Sequence, residues 1–138
     1  MLRYICFLLV MAMPASKGFS HEKTLPPKII TITVNPNGVV YMGVDTLTTD
    51  VLATTLHERL WRSYLGNDKM YDSIRVVLNG EVLMGVKGAA LDAILQAQQG
   101  ALKEICLQKY KRLFENIDSR QQKRIRKQFP VLFQKIKW

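Results

Sequence analysis

Four basic side chains near the carboxyl end have a spacing that would place them on one face of a helix. They are Arg120, Lys123, Arg124 and Lys127. The intervals are i, i+3, i+4 and i+7, at which helical side chains are neighbours. A row of cations attracts phosphate or carboxylate groups. We therefore predict that these residues contact an anionic partner, with a merely solvated helix face as the alternative.

The positive charge of the whole chain is concentrated around this face. The 138-residue sequence has 20 Lys and Arg against 11 Asp and Glu, a formal net charge of +9. Residues 103–138 hold eleven of the cations and three of the carboxylates, whereas residues 21–102 hold seven and eight. The carboxyl-terminal quarter is thus a basic region attached to a nearly neutral body.

No other residues have the spacing of a catalytic or metal-binding set. His57 lies beside Glu58, but position 61 is Trp61, so a helical zinc motif lacks its second ligand. Neither Ser63 nor Ser73 has a paired base, and the glycines do not form a phosphate-binding loop. We expect no catalytic residue, no metal ligand and no cofactor, and we interpret His57 as a surface or boundary residue.

The first residues have the features of a cleaved signal peptide. Arg3 supplies the positive start, residues 4–13 are apolar, and Gly18 and Ser20 are small residues suited to cleavage. The apolar run is shorter than the roughly 20 residues that a membrane span needs. We predict a periplasmic protein with residues 1–20 removed and residues 21–28 as a linker. The alternative is an uncleaved inner-membrane anchor, with the domain facing the periplasm.

Export limits both the partners and the role of the cysteines. The anionic partner is then a lipid headgroup, the carboxylates of peptidoglycan or an acidic protein, and nucleic acid is not expected. Removal of Cys6 with the leader leaves Cys106, which cannot form an internal disulfide alone. Cys106 falls within an apolar helical pattern, which indicates a buried small hydrophobe.

The amino-terminal half of the mature chain predicts a hairpin that leads into a helix. Residues 29–34 alternate apolar and polar types as a half-buried strand does, and Asn-Pro-Asn-Gly at 35–38 is typical of a hairpin turn. The helix would begin at Thr48 or Thr49 and break near residue 66. Its apolar stripe repeats every fourth residue: Leu52, Leu56, Leu60 and Tyr64.

The chain between residues 73 and 130 predicts one more strand and two more helices. The strand is expected at 73–77, and the dense apolar run that continues to Leu78 indicates a central strand buried on both faces. A long helix is expected for 88–114, with Gly100 marking a bend or a close helix–sheet contact. Asp118 and Gln121 have capping-box spacing for a last helix that ends before Pro130. One face of the long helix is expected to carry Leu91, Ile94, Leu95, Leu102, Ile105 and Lys109, with Ala90, Ala97 and Ala101 packing beside them.

These elements predict one small α/β (α+β) domain over residues 29–138. It would have two layers: a sheet of three to four strands, and two main helices on one face of that sheet. The short carboxyl-terminal helix would carry the basic face, with Ile125 and Phe129 as the apolar edge that docks it. Residues 131–138 are expected to form a last edge strand.

Three strings in this order are similar to the periplasmic domain of the ExbD/TolR biopolymer-transport family. ITVNPNGVVYMG at 32–43 resembles the strand, turn and strand that precede the family's first helix. VVLNGEV at 76–82 resembles the central strand that leads into its second helix. YKRLFENIDSRQQKRIRKQFP at 110–130 resembles the extended carboxyl terminus of Bacteroidetes-type members.

The resemblance implies a non-enzymatic interaction module of envelope transport driven by the proton-motive force. It would act by dimerisation and by strand addition or groove binding of a partner peptide. The implied partners are envelope proteins of the ExbB/TonB type or peptidoglycan, and a homodimer is allowed. Family members normally have a transmembrane helix with a proton-handling acidic residue, which residues 4–13 do not supply. The alternative function is a small exported ligand-binding protein or a hydrolase.

Overall fold

The structure, a computed structural model, describes residues 26–67 and 69–137. The predicted signal peptide and most of the predicted linker lie outside the described residues. The strands are β1 (Ile29–Val34), β2 (Val39–Met42), β3 (Asp45–Thr48) and β4 (Ser73–Leu78). The helices are α1 (Thr49–Asn67), α2 (Met84–Tyr110) and α3 (Ser119–Gln128), with short 3₁₀ turns at Phe114–Asn116 and Pro130–Phe133.

The strands form one mixed sheet in the order β3-β2-β1-β4. Pairing is antiparallel between β1 and β2 and between β2 and β3, whereas β1 and β4 run parallel. Ile30, Ile32 and Val34 are buried on the helix side of the sheet, while Thr31 on the other side is exposed. The predicted two-layer α+β domain, with four strands and the helices on one face, is confirmed.

The first hairpin turn has the predicted chemistry. Gly38 has a φ of +83°, a left-handed conformation that glycine adopts without steric cost. The Asn35 N–H donates to the Val39 carbonyl at 2.9 Å, and the Val39 N–H donates to Asn37 Oδ1 at 3.1 Å. The turn therefore fixes the register in which Val34 pairs with Val40.

A second hairpin, which the sequence analysis did not predict, follows directly. Met42 pairs with Asp45 across a two-residue turn in which Gly43 has a φ of +64°. Strand β3 is only four residues long, and its side chains are at best partly buried. Its sequence therefore lacks the apolar alternation that identified β1.

The prediction that β4 is a central strand buried on both faces was wrong. Strand β4 lies at the edge of the sheet and pairs with β1 alone. Ile74 is buried, but Val77 on the opposite face is 40% exposed because no layer covers that side. A dense apolar run indicates burial but does not distinguish a central strand from an edge strand.

The packing of the long helices was predicted correctly for α1 and only in part for α2. The α1 stripe is buried as predicted. Helix α2 begins at Met84 and ends at Tyr110, four residues earlier at each end than expected. Leu95, expected on the buried face, is 50% exposed, whereas four alanines are buried there, of which all but Ala93 were expected to pack. They are Ala90, Ala93, Ala97 and Ala101.

The last helix agrees with prediction, but the segment after it does not. Helix α3 is capped by Asp118 and Gln121 and ends before Pro130. The expected edge strand at 131–138 is absent from the described part of that segment, which is a 3₁₀ turn and then irregular chain. Val131 and Leu132 are consecutive and both buried, which the alternating side chains of an edge strand do not allow.

Candidate anionic-partner site

Helix α3 is held at its start and along its inner side. At its start, the Gln121 N–H donates to Asp118 Oδ1 at 2.7 Å, and the Asp118 N–H donates to Gln121 Oε1 at 3.2 Å. A capping box of this kind satisfies amides that a helix start leaves unpaired. On the inner side, Ile125 and Phe129 are fully or almost fully buried. The helix therefore presents its outer face in one defined orientation.

The outer face carries the four cations singled out in the sequence. Their side chains are all exposed. Among the residues that the structure describes, ion pairs join Arg59 to Asp45 and Arg62 to Glu58, and His57 contacts Glu104, so the α3 cations belong to none of these pairs. The charge of this face is not neutralised within the described domain. The four residues are Arg120, Lys123, Arg124 and Lys127.

Two other cations near α3 have structural contacts instead. The Arg126 guanidinium carbon lies 5.4 Å and 4.9 Å from the ring centroids of Phe114 and Phe133. Lys109 Nζ donates to Gln128 Oε1 at 2.9 Å and lies 5.3 Å from the Phe129 ring centroid. Cation–π contacts of this geometry are attractive. Arg126 and Lys109 thus help to hold α3, while the four outer cations remain available.

A polar cleft of about 340 Å³ lies beside α1 and contains a pair that the sequence analysis missed. Lys28 Nζ donates to Ser63 Oγ at 2.8 Å, so Lys28 is a hydrogen-bond donor to this serine and does not serve it as a base. The two residues are 35 positions apart, which no local spacing could reveal. Ser63 Oγ in turn donates to the Lys69 carbonyl at 3.0 Å.

The geometry of this pair favours a structural cation over a catalytic base. Lys28 Nζ also lies 4.4 Å from the Tyr71 ring centroid, in cation–π geometry. An ammonium has no lone pair with which to remove a proton. The Ser63 hydroxyl proton is already directed at the Lys69 carbonyl. The pair therefore ties the chain before β1 to the end of α1.

His57 lies at the interface between α1 and α2, as its interpretation as a boundary residue requires. Its Nε2 is 3.0 Å from Glu104 Oε2, and its side chain is 30% exposed. Within residues 26–67 and 69–137, no group of His, Cys, Asp and Glu side chains is arranged to hold a metal ion. His57 therefore joins the two long helices in this structure.

Cys106 is fully buried on α2, where it packs as a small apolar side chain. Burial raises the pKa of its thiol above the ordinary value of 9.0, and the nearby Glu115 carboxylate raises it further. A raised pKa keeps the thiol protonated and poorly nucleophilic. The structure confirms that Cys106 is part of the core.

The outer edge of β4 is a second candidate binding surface, because part of its backbone hydrogen-bonds to no described strand. Ile74 directs its N–H and C=O away from β1, since both bond to the side chain of Gln134. Alternate residues of a strand point the same way, so Val76 and Leu78 direct theirs outward too. In the described part of the chain, no strand pairs with this edge.

Comparison with known proteins does not assign the chain to a family. None of the described helices is long and apolar enough to cross a membrane. Searches with protein-family models, with curated protein sequences and with solved structures found no match.

Proposed function

We propose that this chain is an exported, non-enzymatic interaction module that binds an anionic partner of the cell envelope through the outer face of α3. The carrying observation is that the four cations of this face are exposed and belong to no ion pair within the described domain. The strings similar to ExbD/TolR proteins support a role in envelope transport. In that role the partner is an ExbB/TonB-type protein or peptidoglycan.

The energetics of exposed charges favour a surface that works as a group. An exposed ion pair contributes about 0–1 kcal/mol, so no single contact on α3 would be decisive. Because helix α3 is already ordered, several contacts can form together without a further cost for ordering its backbone. Such binding weakens as salt rises, because charges are screened over about 8 Å at physiological ionic strength.

Co-sedimentation with peptidoglycan sacculi and with anionic vesicles tests the proposal. The test variant changes the four α3 cations to Gln. A matched variant also changes four exposed cations to Gln, but outside α3, and so removes the same charge. They are Lys69, Arg75, Lys103 and Lys135. We expect only the α3 variant to lose binding. Equal binding by the parent and both folded variants would show that the face is only solvated.

A second mode of partner binding is supported by the part of the β4 edge that lies beyond the Ile74–Gln134 contact. The backbone groups of Val76 and Leu78 point outward at an edge without a paired strand in the described chain. Addition of a partner strand to such an edge is a recurring mode of peptide recognition. We propose strand addition at β4 as a contact separate from α3.

The alternative function, a ligand-binding protein or hydrolase, would use the polar cleft beside α1. The cleft is lined by Lys28, Arg59 and Arg62, among others, and by the carboxylates Asp45 and Glu58. Both carboxylates already lie in ion pairs with arginines. Loss of a measured ligand or hydrolytic activity in a Ser63→Ala variant would favour this alternative.

A further inference from the structure

The carboxyl-terminal segment contacts the outer edge of β4 through one side chain. Gln134 Oε1 accepts a hydrogen bond from the Ile74 N–H at 2.8 Å, and Gln134 Nε2 donates to the Ile74 carbonyl at 2.7 Å. The backbone of a neighbouring strand would satisfy the same donor and acceptor. The carboxamide of Gln134 therefore occupies the place of a further strand at this one residue.

The segment that carries Gln134 is held from the helix side as well. Gln98 of α2 is only 3% exposed, and its Nε2 donates to the carbonyls of Val131 and Gln134 at 2.8 and 3.0 Å. Ile136 packs partly buried against the core. The segment is thus anchored to α2 by Gln98 and reaches β4 through Gln134.

The rest of the β4 edge is suited to another strand. Val76 and Leu78 point their backbone groups outward, and Val77 between them is 40% exposed on the open face of the sheet. An edge of this kind is a template for a second copy of the same strand. Antiparallel pairing of two β4 strands centred on Val76 would place Ile74 of each copy opposite Leu78 of the other.

Gln134 interferes with that arrangement at both ends. The bonds that Ile74 would offer to Leu78 of the other copy are already made with the Gln134 carboxamide. Only the central Val76 pair would remain. Isolated strand pairing is marginal in water even when a hairpin connects the strands, so a single pair would not hold two copies together.

We propose that Gln134 is a latch that closes the β4 edge to a second copy of the chain, and that release of this latch makes β4 a strand acceptor. The inference rests on strand addition at β4 as proposed above and is independent of the α3 surface. It assigns the carboxyl-terminal segment a regulatory role at the edge of the sheet.

The test compares Gln134→Leu with Gln108→Leu, which makes the same chemical change at an exposed position of α2. Amide exchange at Ile74 by NMR reports the latch, and sedimentation velocity reports association. We expect Gln134→Leu to speed Ile74 exchange by about tenfold or more, since two hydrogen bonds are lost. We also expect it to form a concentration-dependent dimer, whereas Gln108→Leu does neither.

Two further variants test whether the dimer forms through β4 and whether the exchange rate follows the Gln134 hydrogen bonds. Val77→Lys, added to Gln134→Leu, would place a lysine opposite Arg75 of the second copy, and like charges opposed across strands are destabilising. We expect this double variant to be monomeric while Ile74 exchange stays fast. Gln134→Glu keeps the side-chain length and can still accept from the Ile74 N–H but cannot donate to its carbonyl, so it should exchange at an intermediate rate.

Three results would overturn the inference. Unchanged Ile74 exchange in both Gln134 variants would show that there is no latch. Fast exchange in a variant that stays monomeric would show that β4 is not a strand acceptor, and would leave the α3 proposal untouched. A dimer that persists with Val77→Lys, or a parent protein that already pairs through β4, would show that Gln134 does not control this edge.

Discussion

The imidazole of His57 on α1 lies directly against Gly100 on α2. A Cβ atom at position 100 would be 3.0 Å from His57 Nδ1 and 3.1 Å from its Cε1. The glycine therefore gives His57 the room to reach Glu104, which it contacts at 3.0 Å. Gly100 was expected to mark a bend or a close helix–sheet contact, whereas the structure shows a close contact with another helix, α1.

This contact predicts different outcomes for two Gly→Ala changes in α2. At Gly88 an added Cβ meets no atom within 4 Å, so Gly88→Ala should stabilise the protein by up to about 1 kcal/mol through helix propensity. Gly100→Ala should show no such gain, because His57 must move. Chemical denaturation measures the stability of both variants. Without the His57 imidazole the gain should return, so the double variant His57→Ala with Gly100→Ala should be more stable than His57→Ala alone. An equal gain from both single variants would mean that the contact is not tight.

The buried stripe of α1 predicts a large effect at its centre. Leu56 is fully buried against the sheet, so Leu56→Ala should lower the free energy of unfolding by about 2–5 kcal/mol. Leu65→Ala is the control on the same helix, where the side chain is 54% exposed; its effect should stay within about 0.5 kcal/mol. A denaturant titration in which the two variants behave alike would mean that the buried face of α1 is misassigned.

The buried thiol of Cys106 predicts a pH dependence with a defined sign. Burial raises the pKa of this thiol above 9.0, so the folded chain holds the proton more tightly than the unfolded chain does. The resulting stability is present below about pH 9 and is lost as the pH rises through the folded pKa. The difference in unfolding free energy between the parent and Cys106→Ala should therefore not change with pH below pH 9. Above pH 9 the parent should lose stability relative to Cys106→Ala. A difference that is flat at all these pH values would contradict the burial.

The expected export concerns residues outside the described part of the chain. If residues 1–20 are a signal peptide, the mature protein should begin near Phe19 or His21. Mass spectrometry of the protein from a periplasmic extract measures this directly. Intact Met1 in the membrane fraction would instead support the inner-membrane anchor.

Features set by neighbouring residues in the chain were predictable, and features set by topology were not. The α1 stripe and the capping box at Asp118 depend on residues three or four apart. The place of β4 at the sheet edge depends on which strands lie beside it. The apolar run of β4 itself does not indicate how many strands those are. The contacts of Gln134 with Ile74 and of Lys28 with Ser63 join residues 60 and 35 positions apart, so no local pattern points to them.

Some features of the candidate site were likewise predictable from helical spacing, and others were not. The exposed row of cations on α3 follows from helical spacing, and the structure places all four side chains in solvent. The separate roles of Arg126 and Lys109 do not follow from spacing, because the aromatic rings that they contact come from other segments. Sequence alone therefore identified the charged face, its capping box and the apolar edge that docks it, but not the cation–π contacts of Arg126 and Lys109.

The affinity of the two charge-matched quadruple variants for one anionic envelope surface tests the central claim most directly. Dissociation constants should be measured for the parent and both variants on the surface that binds the parent best, at low and at physiological salt. We expect the α3 variant to bind at least about tenfold more weakly than the parent at low salt, the matched variant to bind nearly as the parent does, and the difference between the two variants to shrink as salt rises. Equal losses in both variants would show that net charge alone drives binding and would contradict a specific role for α3.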